Sequence, residues 1–390
     1  MVMQIAYVTT YDVLDRSTWP KTQVGLCGAG YHLAKNLENQ SILLDYLGSL
    51  KEKSPTLASR FKWHFYHNLF KTDYFHFLEP VVLREYAEQI SRKLFNSNSH
   101  VVMCPENAIP ISKLECKQPI VLWTDAPLAA SINFYSWLSN LCNETKNSIY
   151  AMEKSALDRC ELVIFWSDWA AEIAVQTYGI APSKIKVIPC GPNIECNRTN
   201  EDINSIVESR DKNICKLLFI GVEWFRKGGD TALEVAKELN KLGLNTELLV
   251  VGCQPLASEI PSFVKTLGFI DKYTTVGINQ MNKLLAESHF LILPSRAEAY
   301  GLVLCEANSF GLPCLATKVG GIPTIIKDNL NGKTFSMDAS ISEYCTYIVS
   351  LMTNYGEYKR LACSSFNEYK SRLNWSVAGE TAKQLLTALV

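Results

Sequence analysis

The segment Glu298-Ala-Tyr-Gly-Leu-Val-Leu-Cys-Glu306 follows the apolar run Phe290-Leu-Ile-Leu-Pro294 and dominates the interpretation of this 390-residue chain. The apolar run predicts a buried strand, and the segment after it predicts a turn into a helix. Seven residues separate the two carboxylates, so they lie roughly 12 Å apart along a helix axis. One carboxylate at the start of the helix and one about two turns further along suit a long polar ligand.

The first turn of this predicted helix offers backbone N–H groups that attract a phosphate by hydrogen bonding and through the helix dipole. The residues concerned are Ala299, Tyr300, Gly301 and Leu302. Glu298 then accepts hydrogen bonds from sugar hydroxyls on one side of a diphosphate, and Glu306 from ribose hydroxyls on the other, which describes a nucleotide sugar. The alternative is that Glu298 only caps the helix and Glu306 is solvated, and spacing alone leaves both open.

Composition narrows the function classes. The length predicts two domains, and 47% hydrophobic residues suffice for two cores. The net charge of -1 argues against broad nucleic-acid binding. Thirteen cysteines without a C-x-x-C pair indicate reduced core residues. The amino-terminal residues lack the features of a secretory signal, and no apolar run is long enough to span a bilayer, so we expect a cytoplasmic protein.

Short strand-like runs alternate with helix-length segments throughout the chain, which predicts an α/β protein with covered parallel sheets. The predicted strands are 5–9, 41–46, 100–104, 119–123, 162–166 and 186–188, then 217–221, 247–251, 273–276, 290–293 and 313–316. The polar stretch 195–204 lacks helical periodicity and predicts an interdomain connection. We therefore expect two Rossmann-like domains, residues 1–194 and 205–372.

Several motifs in a fixed order carry a family resemblance. They are Phe219-Ile-Gly-Val-Glu-Trp-Phe-Arg-Lys-Gly-Gly229, Leu267-Gly-Phe-Ile-Asp-Lys272, Glu298–Glu306, Gly311-Leu-Pro-Cys-Leu-Ala-Thr-Lys-Val-Gly-Gly321 and, more loosely, Trp123-Thr-Asp-Ala126. The chain resembles GT-B glycosyltransferases of the retaining family 4. The resemblance implies two Rossmann-like domains whose parallel sheets face a central cleft, with a C-terminal helix, about 373–390, crossing back to the first domain. It also implies a nucleotide-sugar donor as co-substrate and no further cofactor.

Arg226 and Lys227 follow a predicted strand and precede a helix, so they lie at the carboxyl end of a parallel strand, where ligands bind. A fixed cation there stabilises the negative charge that grows on a leaving diphosphate. Relatives place an arginine directly after the strand glycine, where this chain has Val222 and Glu223, so Lys227 matches better than Arg226. The alternative is an exposed basic turn.

Gly28 and Gly30 resemble part of a dinucleotide-binding fingerprint, but some eighteen residues separate them from the preceding strand, and Leu33 stands where a third glycine belongs. We expect them in a long loop facing the interdomain cleft. By resemblance that loop contacts the donor diphosphate; a plain connection is the alternative.

Asp125 ends a predicted strand at a position where relatives hold the reacting sugar, and the alternative is an N-cap of the following helix. By the same resemblance the backbone near Ile270 contacts the nucleotide base, and Lys272 reaches the phosphates. No Asp-x-Asp sequence occurs, so the usual carboxylate ligands of a metal bound to the diphosphate are missing and we expect metal independence.

The stretch 61–77 is the densest run of aromatic and basic residues. It fits peripheral membrane contact, sugar stacking or ordinary internal packing. From the sequence we expect a metal-independent retaining hexosyltransferase whose acceptor is a sugar, a glycolipid or a small molecule. Three alternatives stay open: a nucleotide-sugar epimerase of the same fold, a nicotinamide-dependent oxidoreductase, and a noncatalytic sugar-binding protein.

Overall fold

The computed structural model describes residues 2–20, 23–256 and 259–390. The chain divides into two compact units, the first formed by Met1–Pro189 with Trp375–Val390 and the second by Cys190–Asn374. The sequence placed the end of the first domain at 194, whereas the first unit ends at 189. Met1, with which the predicted first domain begins, lies outside the described residues.

The first unit contains a six-stranded parallel sheet in the order β2-β1-β3-β4-β5-β6. Its central strands are continuous apolar runs that are buried on both faces, as expected when helices cover a parallel sheet. The strands are β1 Gln4–Tyr7, β2 Leu43–Tyr46, β3 Val101–Cys104, β4 Ile120–Thr124, β5 Cys160–Phe165 and β6 Ile185–Val187.

Five helices of the first unit connect these strands. They are α1 Val24–Asn39, α2 Leu57–Phe65, α3 Pro80–Leu94, α4 Asn143–Arg159 and α5 Asp168–Tyr178. One π-helical turn, Tyr66–Phe70, extends α2. Helix α5 has clear signals at both ends, because the Ser167 side chain accepts from a first-turn N–H and Gly179 closes the helix in the left-handed conformation.

The second unit contains another six-stranded parallel sheet, in the order β12-β11-β10-β7-β8-β9. Its strands are β7 Cys215–Ile220, β8 Thr246–Val251, β9 Val264–Thr266, β10 Phe290–Leu293, β11 Cys314–Thr317 and β12 Gly332–Phe335. Its helices are α6 Asn200–Ser209, α7 Gly229–Lys241, α8 Thr275–Glu287, α9 Leu302–Asn308, α10 Ile322–Ile325, α11 Ile341–Thr353 and α12 Tyr355–Arg372.

The last helix, α13 Trp375–Thr387, belongs to the first unit and packs against α1. Gly379 lies at this contact, where an added Cβ would come within 3.4 Å of the Asn36 carbonyl oxygen. The return of the C-terminal helix to the first domain, which the resemblance implied, is therefore confirmed.

The predicted strand at 273–276 is wrong. Thr274 caps helix α8, its side chain accepting from the Gly277 N–H, so the β-branched residues there begin a helix. The strand of this region lies earlier, at Val264–Thr266, and pairs with β8. The edge strand Gly332–Phe335 was not predicted, because it is only partly apolar.

The stretch 195–204 was predicted to be an irregular connection, but its second half is helical. Helix α6 begins at Asn200, and a capping box starts it: the Thr199 hydroxyl accepts from the Asp202 N–H while the Asp202 carboxylate accepts from the Thr199 N–H. Buried Ile203 and Val207 hold the helix to the second unit.

Candidate active site

Two loops meet at the carboxyl edge of the second sheet, where parallel α/β sheets bind ligands. One follows β7 and carries Arg226 and Lys227, and the other follows β10 and carries Glu298. Gly228 lies where they touch, with a φ of +76°, and an added Cβ would come within 2.0 Å of the Pro294 carbonyl oxygen. Only glycine permits both this backbone conformation and this close approach.

The Lys227 ammonium forms an ion pair with the Glu298 carboxylate. Only 13% of the lysine side chain and 10% of the glutamate side chain are exposed. The lysine stem passes over Gly221, where an added Cβ would come within 2.8 Å of its Cγ. Two opposite charges are thus held together at the ends of β7 and β10, largely shielded from water.

Backbone contacts fix the loop that carries Glu298. The Arg226 guanidinium donates to the Ala297 carbonyl oxygen at 2.9 Å and to the Glu223 carboxylate at 2.6 Å. The Gly321 N–H, after β11, donates to the Glu298 carbonyl oxygen at 3.1 Å. Arg226 therefore positions the residue next to Glu298, and it is already engaged by protein groups.

A second pair joins Lys272, after β9, to Glu306 in helix α9. Glu306 is completely buried. Lys272 binds its Oε1 atom, while its Oε2 atom has no hydrogen-bond partner in the described part of the chain. A buried polar atom normally has a partner, so this oxygen is an open acceptor.

The predicted start of the helix is wrong by several residues. Gly301 has a φ of +100° and caps α9, so the helix begins only at Leu302. Ala299 and Tyr300 therefore lie before the helix and not in its first turn. Tyr300 is buried, and its hydroxyl donates to the Cys190 carbonyl oxygen at 2.9 Å. Its side chain thus anchors the turn to the core of the second unit.

Asp230 and Arg296 lie beside these loops and were not predicted from the sequence. The Arg296 guanidinium binds both carboxylate oxygens of Asp230, at 2.8 and 2.7 Å, and its Cζ lies 4.0 Å from the centre of the Phe225 ring. The Arg296 N–H also donates to the Arg226 carbonyl oxygen at 2.8 Å. The sequence signal that could have identified them is their position, since each is a charged residue next to a loop predicted to form the site.

Ile270 lies in the loop between β9 and α8 and is buried, two residues before Lys272. Its predicted contact with a base is untested and stays a prediction. The expectation that Lys272 reaches phosphates also stays a prediction, and the structure adds the pairing with Glu306.

Asp125 in the first unit follows β4, as predicted, but it does not cap a helix. Its Oδ1 atom accepts from the Ala126 N–H at 2.8 Å, and the next helical turn, Leu128–Ser131, begins after Pro127. The N–H groups of Leu128 and Ala129 bind the buried Glu153 carboxylate instead, at 2.5 and 2.9 Å.

Glu106, which the sequence analysis also missed, lies two residues beyond β3 at the same edge of the first sheet. It is 3% exposed and accepts hydrogen bonds from the N–H and hydroxyl of Thr10. Burial raises its pKa to about 7, against the opposing effect of these hydrogen bonds. An acid directly after a buried strand was the signal for it.

The prediction that Gly28 and Gly30 lie in a loop is wrong, because both lie inside helix α1. The Gly30 carbonyl oxygen accepts from the Tyr7 hydroxyl at 2.7 Å, and an added Cβ would come within 2.0 Å of the Tyr11 hydroxyl. Gly30 therefore lets α1 approach the end of β1 closely, so packing explains it without a ligand.

Over residues 2–20, 23–256 and 259–390, no three His, Cys, Asp or Glu side chains are grouped so that they could hold a metal ion. The same described residues contain no helix with the length and apolar character needed to cross a bilayer.

Comparison with known proteins identifies a family model that matches the second unit and several curated relatives. Residues 200–366 match the family described as glycosyl transferases group 1. The D-inositol 3-phosphate glycosyltransferase of Segniliparus rotundus is 30% identical over 165 residues, which are 40% of this chain and 37% of that protein. The chain spans between 24% and 62% of the length of four such curated relatives.

Solved structures match the chain over its whole length. Sucrose-phosphate synthase from Thermosynechococcus elongatus aligns with a TM-score of 0.69 at 14% identity, over 99% of both chains. HepE from Anabaena, in complex with UDP-glucose, aligns with a TM-score of 0.62 at 14% identity, over 99% of this chain and 100% of that one. These alignments establish that the chain has the GT-B fold.

Proposed function

Since residues 200–366 carry the sequence of the glycosyl transferase group 1 family on a GT-B fold, we propose that this protein is a retaining hexosyltransferase. It transfers a hexosyl unit from a nucleotide-diphosphate sugar to an acceptor hydroxyl, without a metal ion. HepE, which shares the fold, has been solved with UDP-glucose, which favours a donor of this class.

The observation that carries the proposal is the set of two lysine–glutamate pairs at the carboxyl edge of the second sheet. Lys227–Glu298 and Lys272–Glu306 are largely buried, and each places one cation beside one carboxylate. A nucleotide sugar offers matching groups to both members of a pair: its hydroxyls donate to carboxylates, and its phosphate oxygens accept from ammonium groups. Dinucleotides such as NAD also carry hydroxyls on both sides of a diphosphate, and the family match of residues 200–366 favours the nucleotide sugar over them.

The proposed roles follow from these chemical matches. Glu298 holds hydroxyls of the transferred sugar, and Glu306, through its open Oε2 atom, holds ribose hydroxyls. Lys227 binds the diphosphate and stabilises the charge that develops on it as the glycosidic bond breaks, an effect that is strong where water is scarce. Arg226, engaged with Ala297, supports the same loop.

Retention of stereochemistry and the contact of Asp125 with the reacting sugar rest on the resemblance. Metal independence rests on the absence of an Asp-x-Asp sequence. In the resembled family the leaving phosphate helps to deprotonate the acceptor, so no protein nucleophile is required. A carboxylate such as that of Asp125 accepts hydrogen bonds from hydroxyls, which suits this role.

A donor screen tests the proposal. The purified chain is incubated with a panel of uridine, guanosine and adenosine diphosphate sugars, with and without EDTA, and the released nucleoside diphosphate is measured. We expect slow hydrolysis of at least one donor, insensitive to EDTA and slower by about 100-fold or more in the Lys227→Ala variant. Release of an epimerised donor would identify an epimerase instead, and failure to bind any member of the panel would overturn the proposal.

A further inference from the structure

Helix α2 and the π-helical turn after it, residues 57–70, form a helical segment that we call the aromatic helix. Its large apolar side chains face solvent instead of the core. The exposed fraction is 85% for Leu57, 71% for Phe61, 66% for Leu69 and 56% for Phe70. Trp63 and Phe65 are 45% and 42% exposed.

The inward face of the aromatic helix is polar. Buried Ser59 donates to Glu79 at 2.9 Å, and the Lys62 ammonium and the Tyr66 hydroxyl bind the two carboxylate oxygens of Glu144, at 2.5 and 3.0 Å. The segment is therefore amphipathic with its usual orientation reversed, because a surface helix normally turns its apolar side inward. An outward apolar face of this size marks an interaction surface.

The outward face follows helical spacing. Leu57, Phe61 and Phe65 recur every four residues and therefore share one side, and the rings of Phe61 and Phe65 stack with centroids 6.4 Å apart. The segment is fixed at both ends, by a capping box at Thr56 and by the Asn140 side chain, which donates to the Lys71 carbonyl oxygen at 2.5 Å. The apolar residues are thus presented on a held helix.

Charge on the same segment has one sign. Residues 57–71 contain arginine and lysine but no aspartate or glutamate. Arg60 and Lys71 are exposed and form no ion pair with any described residue. Two neighbouring acids are already engaged by the segment or its surroundings: Glu144 binds Lys62 and Tyr66, and Glu79 binds Ser59 and Tyr74. The outward face therefore combines apolar side chains with uncompensated cations.

We propose that the aromatic helix docks on a bilayer surface that contains anionic phospholipids. Phenylalanine, leucine and tryptophan side chains enter the boundary between headgroups and acyl chains, while arginine and lysine at their edge bind lipid phosphates. A second copy of the same face is a poorer occupant, because a symmetric contact would bring Arg60 and Lys71 of two chains together. The proposal does not depend on the transfer reaction.

Vesicle sedimentation with the full chain tests this proposal. The protein is mixed with vesicles of phosphatidylcholine alone or with about one quarter phosphatidylglycerol, at low salt and at about 0.5 M NaCl. We expect binding to the anionic vesicles that weakens with salt. The Phe61→Ser/Phe65→Ser double variant should lose about tenfold or more in vesicle affinity, and Arg60→Gln/Lys71→Gln should lose the preference for anionic lipid.

Matched controls lie elsewhere on the first unit. Phe95 is 89% exposed and Lys113 is exposed, so Phe95→Ser and Lys113→Gln should bind vesicles as the unchanged protein does. Circular dichroism and Tm check that every variant folds. Absence of binding to anionic vesicles, or equal loss in the Phe95→Ser control, would overturn the proposal. So would a dimer in light scattering that disappears with Phe61→Ser/Phe65→Ser, since a second copy would then cover the face.

Discussion

Lys227 and Glu298, 71 residues apart in the sequence, form a largely buried ion pair at the carboxyl edge of the second sheet. Gly228 makes the pairing feasible, because it lets the lysine loop pass directly against the Pro294 carbonyl group. A buried pair of this kind contributes little net stability, since desolvation of two charges offsets their attraction. Its position at the edge where parallel α/β sheets bind ligands agrees with the role in donor binding that we propose for it.

Removal of one member of this pair should destabilise the protein more than removal of both. Lys227→Ala leaves the Glu298 charge buried without its partner, and we expect a loss of about 3–5 kcal/mol in the free energy of unfolding. Adding Glu298→Gln to Lys227→Ala should recover much of that loss. Urea unfolding of both single variants and the double variant measures the coupling, and strictly additive effects would show that the two side chains act independently.

Lys227→Ala should also lower the rate of donor cleavage by about 100-fold or more, because a fixed cation on the leaving diphosphate is lost. Lys241→Ala is the matched control, since Lys241 lies at the end of the next helix and its side chain is 71% exposed. Initial rates with the best donor from the screen provide the measurement. Equal rates in Lys227→Ala and Lys241→Ala would remove Lys227 from the mechanism.

Glu306→Gln should weaken nucleoside diphosphate binding by about tenfold or more, because an amide replaces the carboxylate whose Oε2 atom is proposed to hold the ribose hydroxyls. UDP is the first probe, and calorimetric titration gives the affinity. Glu247→Gln is the control, because Glu247 pairs with Lys265 in the same unit within strands β8 and β9. Unchanged UDP affinity in Glu306→Gln would contradict the assigned role.

Gly228→Ala should destabilise the second unit and reduce donor cleavage together. The variant forces alanine into a φ of +76° and places its Cβ within 2.0 Å of the Pro294 oxygen. Gly243→Ala separates these causes, because Gly243 has a φ of +86° with no atom within 4 Å of the added Cβ. Gly243→Ala should lower the free energy of unfolding by about 1 kcal/mol, from the backbone conformation alone, and keep full activity. Gly228→Ala should lower the free energy of unfolding by clearly more. Thermal unfolding and donor cleavage of both variants decide this.

Glu106 should make stability depend on pH. Burial raises its folded-state pKa from 4.5 to about 7, so the folded protein holds this proton more tightly than the unfolded chain does. The resulting stabilisation is complete below about pH 4.5 and is lost as the pH rises through about 7. As the pH rises from 5 to 8, the free energy of unfolding of Glu106→Gln should therefore increase, relative to that of the unchanged protein, by on the order of 3 kcal/mol.

The control for this pH dependence is Glu115→Gln, because the Glu115 side chain is 87% exposed. Its difference in unfolding free energy from the unchanged protein should stay constant across the same pH range. A constant difference for Glu106→Gln as well would show that Glu106 titrates normally in the folded state.

The sequence alone determined the architecture, because alternating strand and helix signals depend on local apolar runs. The run 290–293 was predicted as a strand and is one, and Lys227 and Glu298 follow strands as expected. Conformations set by a single residue were harder to predict. Because Gly301 adopts the left-handed conformation, helix α9 begins only at Leu302. Thr274 likewise turned an apparent strand into a helix start.

Only the tertiary structure decided which side chains meet. Lys272 and Glu306 are 34 positions apart, and no local pattern predicts their pairing or the open Oε2 atom. The orientation of the aromatic helix was equally hidden, since sequence gives the periodicity of a helix but not which side its neighbours cover. Glu79 and Glu144 engage its polar side from other elements, and this leaves the apolar side in water. Pairing and burial depend on residues that are far apart in the sequence, and only folding brings those residues together.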